Sequence, residues 1–187
     1  YPKTFLPNEI KFENIKFPII VKPRVGARSV GVYKVHNLED LKSKIKTIVN
    51  PIIQEYIGDE SDEYTCGIIY FDQELKSSIA IKRTLKNGNT FISEFNNSSS
   101  KEIDKYILRI ANVLKPYGSC NFQLRIDKNG IPKLFEINPR HSGTTFIRSL
   151  FGYNEIIFIL KYVLENKSLK FKLKDGKAIR FFEEKLI

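Results

Sequence analysis

Two runs of alternating residues, Ser119-Cys-Asn-Phe-Gln-Leu-Arg-Ile126 and Pro132-Lys-Leu-Phe-Glu-Ile-Asn138, carry the densest set of groups that could do chemistry. Side chains alternate faces along a strand, so Asn121, Gln123 and Arg125 share one side and Phe122, Leu124 and Ile126 the other. On the second run Glu136 and Asn138 fall on the polar side, with Phe135 and Ile137 opposite. Asn129-Gly130 between them is a tight-turn signal that brings Gln123 to within about a residue of Glu136. One sheet face then presents an amide, a carboxylate and a second amide, followed by Pro139 and Arg140. Hard oxygen donors, without sulfur and with little imidazole, suit Mg²⁺ held partly by substrate phosphates. A solvated polar surface fits the same residues, and the pattern alone does not choose.

A second set lies nearer the start. Lys22 closes the apolar run Phe17-Pro-Ile-Ile-Val21, where a fixed cation could meet a phosphate or simply end an exposed strand. Gly26 and Gly31 bracket a loop that holds Arg28 and Ser29. Glycines let backbone amides approach anionic oxygens closely, although an ordinary hairpin turn uses them too. The loop is not a Walker motif, because no Gly-Lys-Ser/Thr ends it and it opens a strand rather than a helix. Gln54, Glu55, Tyr56 and Ile57, followed by Glu63, set polar groups at the junction of two lobes, a common place for ligands. His141 adjoins Arg140 and is a candidate substrate contact, while His36 reads as surface. With two histidines and no activated serine or cysteine, neither a nucleophilic triad nor a zinc hydrolase fits.

These groups need an α+β scaffold to hold them. In the first part, strands over residues 17–21, 32–35 and 52–57 accompany a helix capped by Asn37, with Leu38, Leu41, Ile45 and Ile48 at helical period. In the second, strands are expected over 63–71, 75–85 and 90–95, with Asn87-Gly88 marking a hairpin. Ser99 with Glu102 matches a capping box opening a helix that aligns Ile103, Ile107, Ile110 and Leu114. After the polar hairpin, residues 144–165 read as one largely buried helix and 179–187 as a closing strand. The Gly58 turn is the nearest thing to a boundary, giving lobes over 1–57 and 58–187.

The chain has 187 residues, enough for one domain or two small lobes sharing a site. Hydrophobic content of 42% with 28% charge excludes a disordered chain. Cys66 and Cys120 both sit in apolar runs and read as buried free thiols in a reducing cytosol. No stretch reaches the roughly 18 uninterrupted apolar residues of a membrane span, and no secretory signal opens the sequence. Methionine is absent altogether, so the chain is expected to be a piece of a longer product. The net charge of +10 suits nucleic acid, anionic lipid or phosphorylated small molecules, and a solvated lysine surface accounts for much of it equally well. Its lysines are scattered singly, with neither a basic arm nor a stacking platform for nucleic acid.

Five stretches in order resemble the ATP-grasp superfamily, and most of all the ATP-grasp domain of the carbamoyl phosphate synthase large chain and its stand-alone relatives. They are Phe17-Pro-Ile-Ile-Val-Lys-Pro23, Gly26-Ala-Arg-Ser-Val-Gly-Val32, Gln54-Glu-Tyr-Ile57 with Glu63-Tyr-Thr65, Asn121-Phe-Gln123, and Leu134-Phe-Glu-Ile-Asn-Pro-Arg140. The resemblance implies two α+β lobes clasping ATP, with Lys22 on the nucleotide and the loop from Gly26 to Gly31, including Arg28 and Ser29, over its phosphates. It implies adenine against Gln54, Glu55, Tyr56 and Ile57, and ribose on Glu63. It places Gln123, Glu136 and Asn138 on Mg²⁺ (or Mn²⁺ in its place), and Arg140 at the transferred phosphoryl group. Arg83 is a weaker carry-over, to phosphate or substrate.

The implied activity is ligation of a small-molecule carboxylate to an amine through an acyl phosphate, in the cytoplasm. The family's N-terminal substrate domain has no counterpart here, so the chain alone is expected to fold without completing a ligation. A carbamoyl phosphate synthase-like phosphorylating subunit and a non-catalytic nucleotide-binding module stand as alternatives. Oligomeric state is not readable.

Overall fold

A computed structural model describes residues 1–26, 29–98 and 101–181. Arg28 and the capping-box Ser99 therefore lie outside the described residues, as do residues 182–187 of the expected closing strand. The chain divides into two compact units, Tyr1–Gly58 and Asp59–Ile187.

The first unit is a four-stranded antiparallel sheet of β1 (Thr4–Phe5), β2 (Ile19–Pro23), β3 (Tyr33–Val35) and β4 (Pro51–Glu55), in the order β1-β4-β2-β3. One helix, α1 (Leu38–Thr47), covers it. The Asn37 side chain accepts the Asp40 N–H at 2.9 Å, Glu39 and Asp40 fill the first turn, and Lys44 and Lys46 the last. Each places charge where the helix dipole favours it. Leu41 from this helix joins Ile19, Val21, Val35 and Ile53 in the core. Strand β1 is too short to announce itself in the sequence; its pairing with β4 makes it a strand.

The second unit is a six-stranded antiparallel sheet in the order β10-β7-β6-β5-β8-β9. Its strands are β5 (Glu63–Phe71), β6 (Glu74–Lys86), β7 (Asn89–Phe95), β8 (Gly118–Ile126), β9 (Pro132–Asn138) and β10 (Gly176–Ile179). Alternation along β5 divides the core. Cys66, Ile68 and Tyr70 face α2 (Lys101–Leu114), which lays Ile103, Ile107 and Ala111 on that side. Ile69 and Phe71 pack the other face, under Ile147, Phe151, Tyr153 and Phe158. Asn87 and Gly88 both take positive φ, 53° and 74°, as the two-residue hairpin between β6 and β7 requires.

Two expectations need correction. Residues 144–165 form two helices, α3 (Thr145–Leu150) and α4 (Glu155–Glu165), separated by Gly152 at φ +90°. There the Lys172 carbonyl lies where a Cβ would sit, so only glycine turns the corner. The pair is also less buried than its apolar composition suggested, with Phe146 74% and Leu164 77% exposed. The second correction concerns β9. Gln123 stands opposite Glu136, but Leu124 stands opposite Leu134, so Phe135 is the extra residue of a bulge. Leu134, rather than Phe135, therefore packs on the α2 side.

Candidate functional site

In the first unit the expected nucleotide-binding residues are tied to the ends of β2 and β4. Lys22 donates from Nζ to Gln54 Oε1 at 3.1 Å, and Gln54 Nε2 donates to Thr4 Oγ1 at 2.9 Å. Glu55 receives the Lys3 N–H on Oε2 at 3.1 Å while its own N–H donates to the Lys3 carbonyl at 2.8 Å. The Lys34 ammonium sits 4.0 Å from the Tyr56 ring centre, and Ile57 is buried. The glycine loop turns back on β2: a Cβ on Gly26 or Gly31 would stand 3.3 or 3.2 Å from the Pro23 ring. Ser29 and Gly31 both take positive φ, and the Val32 N–H donates to the Ser29 carbonyl at 3.2 Å. Gly26 and Gly31, at the two ends of the loop, thus both lie close to Pro23 at the end of the strand.

In the second unit a line of hydrogen bonds crosses the end of the sheet. Glu63 opens β5 with its side chain only 5% exposed. Its Oε1 accepts from Arg83 Nε (3.0 Å) and Nη2 (2.6 Å), and its Oε2 from Arg125 Nε (2.9 Å) and Nη2 (2.7 Å). Both oxygens thus accept from guanidiniums, which ties Glu63 to Arg83 and Arg125. Arg83 Nη2 also donates to Gln123 Oε1 at 2.6 Å, and Gln123 Nε2 donates to Glu136 Oε1 at 3.1 Å. Asn138 Nδ2 meets the same oxygen at 2.6 Å, and Arg140 Nη2 donates to Asn138 Oδ1 at 3.3 Å. Glu63, Arg83, Gln123, Glu136, Asn138 and Arg140 thus lie on one line of hydrogen bonds.

Arg125 is the member sequence reading missed as a partner of Glu63. Its alternation with Gln123 put it on the right face, but only the antiparallel pairing of Glu63 with Arg125 brings them together. The same face continues into a buried polar cluster. Arg148 and Glu155, both fully buried, form an ion pair at 3.2 Å. Arg148 also donates to Asn121 Oδ1, which takes the Thr65 hydroxyl at 2.9 Å. A Cβ on Gly67 would come within 2.6 Å of the Arg148 guanidinium, so the glycine makes room for it. A glycine inside a buried strand was the available signal. His141 Nδ1 lies 3.2 Å from Glu155 Oε1, and its side chain is 43% exposed.

The donors at Gln123, Glu136 and Asn138 are two amides and one carboxylate, all hard oxygen ligands. They fit Mg²⁺ only if phosphate oxygens supply most of the remaining charge. No cluster of three or more His, Cys, Asp and Glu side chains that could hold a metal ion occurs among the described residues. Nor does any described helix have the length and apolar content to cross a membrane.

Residues 48–184 match a family model described as ATP-grasp in the biosynthetic pathway with Ter operon. The chain is 32% identical over 181 residues to D-alanine–D-alanine ligase A of Clostridium perfringens, covering 86% of this chain and 58% of that protein. It is 28% identical over 147 residues to D-alanine–D-alanine ligase A of Bacillus cereus, covering 68% and 46%. The chain thus spans about half the length of the curated relatives it matches. Among solved structures, the N5-carboxyaminoimidazole synthetase of Staphylococcus aureus complexed with ADP superposes with a TM-score of 0.77 at 17% identity, covering 96% of this chain and 52% of that one. The L-amino acid ligase of Bacillus licheniformis gives 0.66 at 16% identity, covering 88% and 43%. At such identities these two likenesses establish the fold.

Proposed function

The chain belongs to the ATP-grasp family, and within it we propose that it is the ATP-binding, phosphoryl-transferring portion of an ATP-dependent carboxylate–amine ligase that works through an acyl phosphate. The observation that carries this reading is the unbroken line Arg83–Gln123–Glu136–Asn138–Arg140 on one sheet face. It unites two cations for a phosphoryl group with a set of hard oxygen donors, more than nucleotide binding alone requires. That favours an enzyme over an inert nucleotide-binding module. The named relatives, D-alanine–D-alanine ligases, favour an amino acid as the carboxylate over a carbamoyl phosphate synthase-like reaction.

In this reading Lys22, steadied by Gln54, sets a cation against the nucleotide phosphates. Backbone amides of the loop from Gly26 to Gly31 approach the same oxygens, joined by Arg28 and Ser29. The segment Glu55–Tyr56–Ile57 meets adenine mainly through its backbone. Glu63, which meets the ribose in this reading, also aligns Arg83 and Arg125, and Arg83 in turn presents its guanidinium beside Gln123. Arg140 faces the transferred group, where fixed positive charge stabilises the transition state more than the ground state. Gln123, Glu136 and Asn138 would hold Mg²⁺, which when bound neutralises charge on the phosphoryl oxygens.

Calorimetry with a non-hydrolysable ATP analogue, with and without Mg²⁺, tests the assignment. Binding should appear or tighten at least tenfold with the metal; equal affinity in both conditions, or none, would overturn it.

A further inference from the structure

We propose that His141 is the proton acceptor for the amine nucleophile in the second half of the reaction. The proposal rests on the ligase reading above and adds a residue that reading leaves without a role.

Glu155 opens α4 deep in the protein, fully buried. Its Oε1 accepts the Thr145 hydroxyl at 2.5 Å and lies 3.3 Å from Arg148 Nη1, while Oε2 lies 3.2 Å from the same nitrogen. Arg148 is itself fixed by Asn121 and Thr65. One oxygen of this immobilised carboxylate meets His141 Nδ1 at 3.2 Å. A carboxylate paired with a guanidinium offers only lone pairs, so Nδ1 carries the proton and Nε2 is left as an acceptor. Unlike Glu155, the imidazole is 43% exposed. A buried carboxylate that fixes the tautomer of an accessible imidazole is the arrangement general bases use.

Its position fits the task. His141 follows Arg140, whose Nη1 donates to the His141 carbonyl at 3.0 Å and whose Nη2 reaches Asn138. The imidazole therefore belongs to the loop leaving the phosphoryl-transfer line. The charged groups around it are Glu155 and Arg148 from the helices, Arg140 beside it, and Arg180, which donates to the Gly143 carbonyl in the same loop.

An amino acid reaches a ligase as its ammonium form and must lose a proton before it can attack. That proton passes to Nε2 of His141 and then to solvent. The nitrogen forms a bond to the acyl carbon, the bond from that carbon to the phosphate oxygen breaks, and phosphate leaves with the electron pair. The second nitrogen proton goes to the departing phosphate, giving an amide and hydrogen phosphate.

Hydroxylamine separates the two halves of the reaction, because near neutral pH it is already uncharged and attacks an acyl phosphate without a base. The intact protein would be assayed with ATP, Mg²⁺ and a panel of small D- and L-amino acids, measuring hydroxamate with hydroxylamine and ligated product without it. His141→Asn keeps a donor near Nδ1 for Glu155 and removes Nε2. At an unchanged melting temperature it should lower the ratio of ligation to hydroxamate formation by about a hundredfold or more. Imidazole added to His141→Gly should restore ligation in proportion to its concentration. An unchanged ratio in His141→Asn, or a lowered one that imidazole does not restore in His141→Gly, overturns the base. Absence of both products from the wild type with every amino acid overturns the ligase reading itself, and this proposal with it.

Discussion

Glu136 is exposed and takes hydrogen bonds from two amides, so it contributes charge to the site and little to the core. Glu136→Gln should therefore melt within a degree or two of wild type. Its turnover should fall by at least about a thousandfold, since a lost charge contact at a phosphoryl group appears in the transition state. A thermal melt beside an ATP-dependent turnover assay decides it; normal turnover would remove Glu136 from the chemistry. Glu63 is the opposite case. Its side chain is 5% exposed and neutralises two guanidiniums that are themselves only 10% and 18% exposed. Glu63→Gln leaves those charges facing each other and should cost about 3 kcal/mol in urea unfolding. A loss of less than about 0.5 kcal/mol would mean the arginines find other partners. Gly67→Ala belongs with it. The group in the way is the tip of Arg148, ordinarily easy to displace, but here pinned by Glu155 and Asn121. Overpacking of about 1–3 kcal/mol is expected, read from the same unfolding curves.

At the scale of elements, the hairpin between β8 and β9 sets the spacing of Gln123 and Glu136, and Asp127 organises its turn. Asp127 Oδ1 accepts the N–H groups of Asn129 and Ile131, each at 2.9 Å. The Ile131 N–H, foremost, holds the Asp127 carboxyl below its usual range; burial opposes it, and Asn129 and Lys133 add to the lowering. A carboxyl lowered by folding stabilises the folded state above about pH 4 and loses that contribution as the pH falls through its lowered value. Asp127→Ala should therefore lower Tm by about 2–4 °C at neutral pH, and the gap should close in acid. A gap that stays constant down to pH 2 would detach it from this carboxylate. Local signals such as these were legible in the sequence: the Asn37 cap, the Asn87-Gly88 turn and the alternating face of β8 all depend on neighbours a few residues away. What escaped reading depends on distant partners. Arg125 finds Glu63 sixty-two residues earlier, β1 exists through β4, and the break at Gly152 is set by the carbonyl of Lys172. The extra residue in β9 escaped for the same reason, because a bulge is defined by the strand across from it.

For the molecule as a whole, the second unit buries each of its thiols inside its core. Cys66 and Cys120 pack on the α2 side of the large sheet, and burial pushes the Cys66 thiol up to about 12 and the Cys120 thiol up to about 11. Thiolate is the reactive form, so native protein at pH 8 should react negligibly with an aromatic disulfide reagent. Both thiols should then label at the rate at which the second unit unfolds, accelerating together with denaturant. Rapid stoichiometric labelling of folded protein would show that the core opens locally. The bulge at Phe135 has a consequence of the same reach. Leu134 and Glu136 are two positions apart and in a regular strand would look the same way; here one looks to α2 and the other to the line of polar groups. Phe135 is thus a parity switch for the edge of the sheet. Drawn into a regular ladder with Phe135 retained, the strand could not satisfy both sides: either Pro132 and Leu134 keep their core and the acidic group is carried through to the oily side, or Glu136 and Asn138 keep theirs and the core loses its lining. Excising Phe135 instead makes Leu134 and Glu136 neighbours that face opposite ways with no bulge needed.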